Sequence, residues 1–109
     1  AALDYLSGDR KATAIFASSD EIAIGLVEVF RSQGVSIPDD ISVIGFDDVG
    51  PLHLFAPPLT AIRQPVRQIG RRSLELLLET NWHEWKPSAS EELVPVEIVV
   101  RNSVAPPAK

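Results

Sequence analysis

Two short runs, Thr13–Ala17 (TAIFA) and Ile41–Phe46 (ISVIGF), constrain the fold more than any other feature of the chain. Each is apolar almost throughout, without the polar alternation of a strand that turns one side to water. Between them lies a segment of helical period. It opens with SSDE, where Ser18 at an N-cap and Glu21 three places on make a capping box. Ile22, Leu26, Val29 and Phe30 then share one face, and Gly34 supplies a stop. Strand, helix and strand in this order form a βαβ unit, and such strands belong in a parallel sheet covered on both faces. The expected fold class is α/β, a parallel sheet of βαβ units.

The remaining elements are plainer. Residues 1–7 read as the end of a helix stopped at Gly8. After Asp48 the chain turns irregular, because Pro51, Pro57 and Pro58 forbid a long regular element. Leu59–Arg63 reads as a short strand. Pro65 then opens a helix at its first position and the helix runs to about Thr80. Its LELLLE run is apolar on more than one side, which is more than so small a sheet needs to cover. NWHEWKPSASEE reads as a polar loop holding both Trp residues, Val94–Arg101 as a last strand, and NSVAPPAK as a loose tail. The 109 residues suffice for one small domain. The absence of a starting Met and an opening inside a helix suggest a piece of a longer protein.

Composition removes several functions. The net charge of −5 is a poor match for a phosphate backbone, so direct DNA binding by this segment is not expected. No Cys is present, which excludes disulfides, thiolate zinc sites and thiol catalysis. His53 and His83 lie in unrelated loops without ligand spacing, and no Gly-rich phosphate loop occurs, so neither a metal nor a cofactor is expected. A phospho-acceptor receiver needs a Lys at a later strand end, and Lys11, Lys86 and Lys109 are not so placed. The amino end is neither a signal peptide nor a membrane span.

The candidate site stands at the strand ends. Open parallel sheets bind ligands beyond the carboxyl ends of their strands. Asp47 lies just past such an end, where a carboxylate can accept hydrogen bonds from vicinal hydroxyls or from a base N–H. A solvated turn or an N-cap is the ordinary use of an Asp pair. Ser18, Ser19, Asp20 and Glu21 follow the neighbouring strand. Capping accounts for Ser18 and Glu21, and Asp20 also suits the helix dipole. A hydrolase using Asp47 and Asp48 lacks a nucleophile with an oriented base. Leu52, Leu54 and Phe55 stand in a proline-bounded connection and form either a surface patch for a partner or a satellite of the core. Ile24 and Val27, on the helix face away from the core stripe, favour the partner.

The stretch from TAIFASSDEIAIGLVEVF through GVSIPDDISVIGFDD and PPLTAIRQP to VRNS resembles the carboxyl-terminal part of a LacI/GalR-type transcriptional regulator. The likeness runs from about Thr13 to Val104. It implies a periplasmic-binding-protein-like domain whose two lobes close on a small effector, with an amino-terminal helix-turn-helix that this chain lacks. On that layout residues 1–109 belong mainly to the second lobe, and the helix at about 65–80 belongs largely with the first. Effector contacts carry over to Asp47, to Ser19 at a position often occupied by Asn, and to Gln64 in R-Q-P; Asp20, next to Ser19 in the SSDE turn, is a further candidate. Dimer contacts carry over to Ile24 and Phe55, with Leu52 and Val27 beside them.

The expected function is therefore the sensing and dimerising part of a cytoplasmic repressor. Its partners would be a sugar-like or nucleobase-like effector, a second copy, and operator DNA through the missing domain. An exported sugar-binding protein of a transport system is the alternative.

Overall fold

The computed structural model describes residues 2–8, 12–81, 83 and 92–107. Most of the expected polar loop, with Trp82 and Trp85, lies outside the described residues. In chain order the elements are α1 (Ala2–Ser7), β1 (Ala14–Phe16), α2 (Asp20–Ser32), β2 (Ser42–Asp47), a 3₁₀ turn (Leu52–Leu54), β3 (Thr60–Arg63), α3 (Val66–Glu79) and β4 (Glu97–Val99). The chain divides into two compact units, one of residues 1–64 with 97–109 and one of residues 65–96.

The first unit holds a four-stranded sheet in the order β1-β2-β3-β4. β1, β2 and β3 are parallel, with Phe16 beside Ile44 and Asp47 beside Arg63. The sheet is not wholly parallel, since β4 returns antiparallel against β3. β4 is also shorter than Val94–Arg101. Pro95 has no N–H to give a ladder, and the Arg101 N–H donates instead to Thr60 Oγ1 at 2.8 Å. A helix joins β1 to β2 as the βαβ pattern predicts, but β2 reaches β3 through residues 48–59 with only the 3₁₀ turn.

Burial explains the packed face. Ala23, Leu26, Val27 and Phe30 of α2 point at the sheet and meet Val43, Ala61, Ile41, Leu52 and Leu59. The buried stripe is thus turned from the expected one, and Ile22 is left half exposed. Ser19, not Ser18, is the N-cap, and its hydroxyl accepts the Ile22 N–H at 3.3 Å. The helix therefore starts one residue later than the capping box suggests. At its other end Gly34 takes φ +70, and Val35 N–H closes on Phe30 O at 2.9 Å, a Schellman stop. The opposite face of the sheet carries Phe16, Ile44, Phe46, Ile62 and Ile98 by register. Phe16 and Phe46 meet edge to face, while Phe16 and Ile98 remain more than half exposed.

The carboxyl-terminal segment is not a loose tail. Ser103 is fully buried. Its carbonyl accepts Val43 N–H at 2.9 Å, and its hydroxyl donates to Val43 O at 2.6 Å and accepts Thr60 N–H at 2.8 Å. Ser42 N–H and Ile44 O serve β1, so the Val43 backbone groups face the other way, toward a point where β3 has not begun. Ser103 occupies that gap in the ladder. Ser42 and Ala105 bond reciprocally beside it, with hydroxyl to carbonyl at 3.2 Å and N–H to hydroxyl at 3.1 Å.

The second unit is built on α3. Pro65 is its N-cap rather than its first helical residue, and none of its side chains is buried. Leu74, Leu76, Leu77 and Leu78 are all exposed. Arg72 grips Glu92 through Nε at 2.8 and 2.9 Å, and Arg71 pairs with Glu75 one turn on. Among the described residues no helix is long and apolar enough to cross a membrane.

Candidate functional site

Parallel pairing of β1 with β2 and of β2 with β3 brings three carboxyl ends to one edge of the sheet. Ser19 and Asp20 come from the first, Asp47 and Asp48 from the second, and Arg63 and Gln64 from the third. Asp47, Ser19, Gln64 and Asp20 are therefore all at this edge, with Gln64 bonded to Asp47. An open cavity of about 340 Å³ lies at this edge, lined by Asp20, Glu21, Ile24, Asp47, Val49 and Gly50.

Each side chain has a defined state. Asp47 sits at φ 107 and Asp48 at φ 53, and neither is glycine. Gln64 holds Asp47 twice. Its backbone N–H donates to Asp47 O at 3.2 Å and its Nε2 to Asp47 Oδ1 at 2.5 Å. Among the described residues nothing bonds Asp47 Oδ2, so that oxygen is free to accept. Ser19 accepts from Ile22 N–H as the cap. The Glu21 carboxyl is held below its ordinary value by its own backbone N–H and then by the Ser19 hydroxyl.

Asp20 is 5% exposed. Its Oδ2 accepts Val49 N–H at 2.9 Å and Gly50 N–H at 3.5 Å, which ties down the loop leaving β2. Its Oδ1 is buried without a hydrogen-bond partner, pressed against Gly45, where an added Cβ would stand 3.3 Å from it. Asp20 thus shapes the cavity wall from inside the unit.

Asp48 turns away from the cavity. Its side chain is 2% exposed and lies between two guanidinium groups. Arg101 Nη1 stands 2.8 Å from Oδ1 and Nη2 donates to Oδ2 at 3.2 Å. Arg63 reaches Oδ2 through Nε at 2.8 Å and Nη2 at 2.7 Å. Burial pushes the Asp48 carboxyl up, but hydrogen bonds from Arg101 and Arg63 together with their charges outweigh it and hold the group below its ordinary value. Sequence reasoning missed Arg101 and Arg63. The available signal was the need of a second buried acid for cations, and the R-Q-P and V-R-N-S motifs contain both. Among the described residues no group of three or more His, Cys, Asp or Glu is placed to hold a metal.

Two of the expected dimer contacts need correction. Val27 is 4% exposed and Leu52 is fully buried, so both belong to the core. Val27 faces inward because it lies on the Ala23, Leu26, Val27 and Phe30 stripe that packs into the core. Leu52 is drawn in by the 3₁₀ turn, where its carbonyl accepts Leu59 N–H at 3.0 Å. Leu54 takes the exposed place instead. Ile24 and Phe55 are partly buried and pack against the core. Phe55 also borders an open groove of about 380 Å³ with Val27, Glu28, Arg31, Ser32 and Ala56.

Comparison with known proteins fits this geometry. The periplasmic binding protein-like domain matches residues 2–104. The HTH-type transcriptional repressor PurR of Vibrio campbellii is 42% identical over 96 residues, covering 88% of this chain and 28% of that protein. Its namesake in Photobacterium profundum is 40% identical over 104 residues, covering 95% and 31%. Among solved structures, a LacI family transcriptional regulator from Enterococcus faecalis with bound ribose is 40% identical at a TM-score of 0.81, covering 99% of this chain and 39% of that one. The dimeric Lac repressor with an 11-residue C-terminal deletion is 29% identical at a TM-score of 0.82, covering 98% and 39%. The chain thus spans about a third of the length of the relatives it matches. With its strand-end acids, its order of elements and these likenesses, the chain belongs to the periplasmic binding protein-like domain family, as part of a LacI/GalR-type effector-binding domain.

Proposed function

We propose that this chain is the sensing and dimerising part of a LacI-type transcriptional repressor that binds a small sugar or nucleobase-like effector and performs no catalysis. The reading rests on one observation above the rest. Asp47 presents a free carboxylate oxygen at the edge where the ends of β1, β2 and β3 converge. Gln64 braces the other Asp47 oxygen, and Ser19 caps α2 at the neighbouring strand end. A free carboxylate oxygen so placed suits vicinal hydroxyls or a ring N–H, by charge-assisted hydrogen bonds at Asp47. Asp20 contributes by holding the cavity wall. An effector bound more tightly in one arrangement of the lobes shifts the population and so changes operator binding by a DNA-binding domain outside this chain.

On this reading residues 1–64 and 97–109 are second-lobe structure, and α3 is the crossover helix whose apolar side chains meet the first lobe. Ile24 and Phe55 lie at the contact with a second copy. The cytoplasm is the setting, because the output is DNA binding. The kinship with a named repressor and with a LacI family transcriptional regulator solved with ribose supports this reading over the transport alternative.

The test uses the full-length regulator and a panel of ribose, cellobiose, adenine and guanine. Asp47→Asn removes the charge at nearly constant shape. Calorimetry should find the panel member that binds wild type weakened by at least tenfold, with operator affinity unchanged in the absence of effector. Equal affinity in the variant would remove Asp47 from the site.

A further inference from the structure

We propose that Arg101 is a positioning residue for the effector site, acting through the Asp48 carboxylate to hold Asp47 in the backbone conformation that aims its own carboxylate. The inference rests on the reading of Asp47 as an effector contact and adds to that reading a residue remote in sequence from the cavity.

The starting point is the backbone. Asp47 at φ 107 lies well outside the left-handed well that Asp tolerates, and Asp48 follows at φ 53. Residues so placed persist only where their surroundings over-determine them. The Gln64 bonds to Asp47 are part of that restraint, but they serve a half-buried residue at the cavity itself. The inward half of the restraint is Asp48. Its carboxylate is buried and held by the Arg101 guanidinium through one hydrogen bond, Nη2 to Oδ2 at 3.2 Å, with Nη1 an ion-pair neighbour 2.8 Å from an Oδ1 that accepts no hydrogen bond.

Arg101 is fixed in turn. Its Nη1 donates to Leu59 O at 2.6 Å and its backbone N–H to Thr60 Oγ1 at 2.8 Å. The next N–H, of Asn102, donates to Pro58 O at 3.0 Å. The guanidinium is therefore anchored to the start of β3, at the end of that strand opposite the cavity. Arg63 also holds Asp48, but its side chain is 47% exposed and stands on the same strand end as Gln64. It has less to brace against. Releasing Asp48 from Arg101 lets the Asp47-Asp48 turn relax toward negative φ, which swings the Asp47 carboxylate away from Gln64 and from the ligand.

The experiment uses the full-length regulator, with Arg101→Gln, Arg101→Lys, Ser103→Ala and Asp47→Asn, and with D-ribose as the probe. Two quantities are read beside stability: the φ of Asp47 in crystal structures, and ribose affinity by calorimetry. Arg101→Gln is expected to lose the positive φ at Asp47 and the contact from Gln64 Nε2. It should weaken ribose binding about tenfold, the scale of one strained residue restored on binding. Arg101→Lys keeps a charge but cannot bond Leu59 O and Asp48 together through a planar guanidinium, so it should fall between, and it stands in if the Gln variant does not fold. Ser103→Ala loosens the same segment without touching Asp48. It should lose stability yet keep both the φ and the affinity.

An Arg101→Gln protein with Asp47 unchanged in φ and still bonded to Gln64 overturns the proposal. So does Ser103→Ala matching its loss of affinity, since the effect would then be general loosening. A protein in which Asp47→Asn binds ribose as well as wild type refutes the clamp reading instead, and the φ of Asp47 in the Arg101 variants still decides the positioning.

Discussion

Replacing Ser103 by Ala should be among the most damaging small changes available in this chain. The side chain is fully buried, and its hydroxyl serves two buried backbone groups at once, Val43 O at 2.6 Å and Thr60 N–H at 2.8 Å. Alanine fits the space but leaves an acceptor and a donor without partners. Each orphaned buried group costs about 1–3 kcal/mol. The bond from Val43 N–H to the Ser103 carbonyl survives and keeps the segment near its place. Two penalties at the lower half of that range give about 3 kcal/mol, a large share of the ~5–15 kcal/mol that holds a typical domain folded. Urea unfolding followed by circular dichroism measures it, with the midpoint lowered and the slope unchanged. Asn102→Ala, at the exposed neighbour, is the control and should stay within about 0.5 kcal/mol of wild type. A Ser103→Ala protein equally close to wild type would refute the claim that this residue completes the ladder.

Gly45→Ala should destabilise by about 1–3 kcal/mol, because the new Cβ would stand 3.3 Å from both Ala23 Cβ and Asp20 Oδ1; thermal unfolding reads it, and a neutral result would mean that α2 shifts freely. The Asp48 carboxyl has a lower pKa folded than unfolded, so its contribution is present above the unfolded value of about 3.9 and is lost as pH falls through the folded value. Wild type should therefore lose stability more steeply than Asp48→Asn when unfolding is followed from about pH 5 to about pH 2. Phe55→Asp should shift the full-length protein toward monomer in analytical ultracentrifugation, and an unchanged mass would leave Phe55 a core residue only.

The parts of the fold legible in the sequence were those written in local pattern. Two wholly apolar strands, a period of 3.6 between them and Gly34 at its end specified the βαβ unit. The strand ends were legible too, because parallel pairing leaves one place for Asp47 and the SSDE turn. What failed depended on single-residue register or on distant partners. The cap falls at Ser19 and not Ser18, and the stripe that packs inward is Ala23, Leu26, Val27 and Phe30, which takes Val27 into the core. The 3₁₀ turn took Leu52 inward and left Leu54 outside, a choice that apolar composition cannot make. Ser103 looked like part of a polar tail because nothing near it in sequence needs it, and the groups that do lie at Val43 and Thr60. Asp48 likewise read as the twin of Asp47. It lies inward between Arg63 and Arg101, and only the returning strand brings Arg101 near.

The bond from Ser103 to Val43 spans sixty residues of chain, and this has a meaning during synthesis. At roughly 5–20 residues per second, about 3–12 s pass between the emergence of Val43 and that of the residue that closes its ladder. Through that interval a nascent β2 carries open hydrogen-bonding groups beside an apolar surface, the template on which strands of neighbouring polysomal chains can add. Closing so distant a contact is slow for entropic reasons as well. The terminal V-R-N-S stretch thus acts as a late latch, and a ribosome stalled before it would release a sheet already formed in outline and still adhesive.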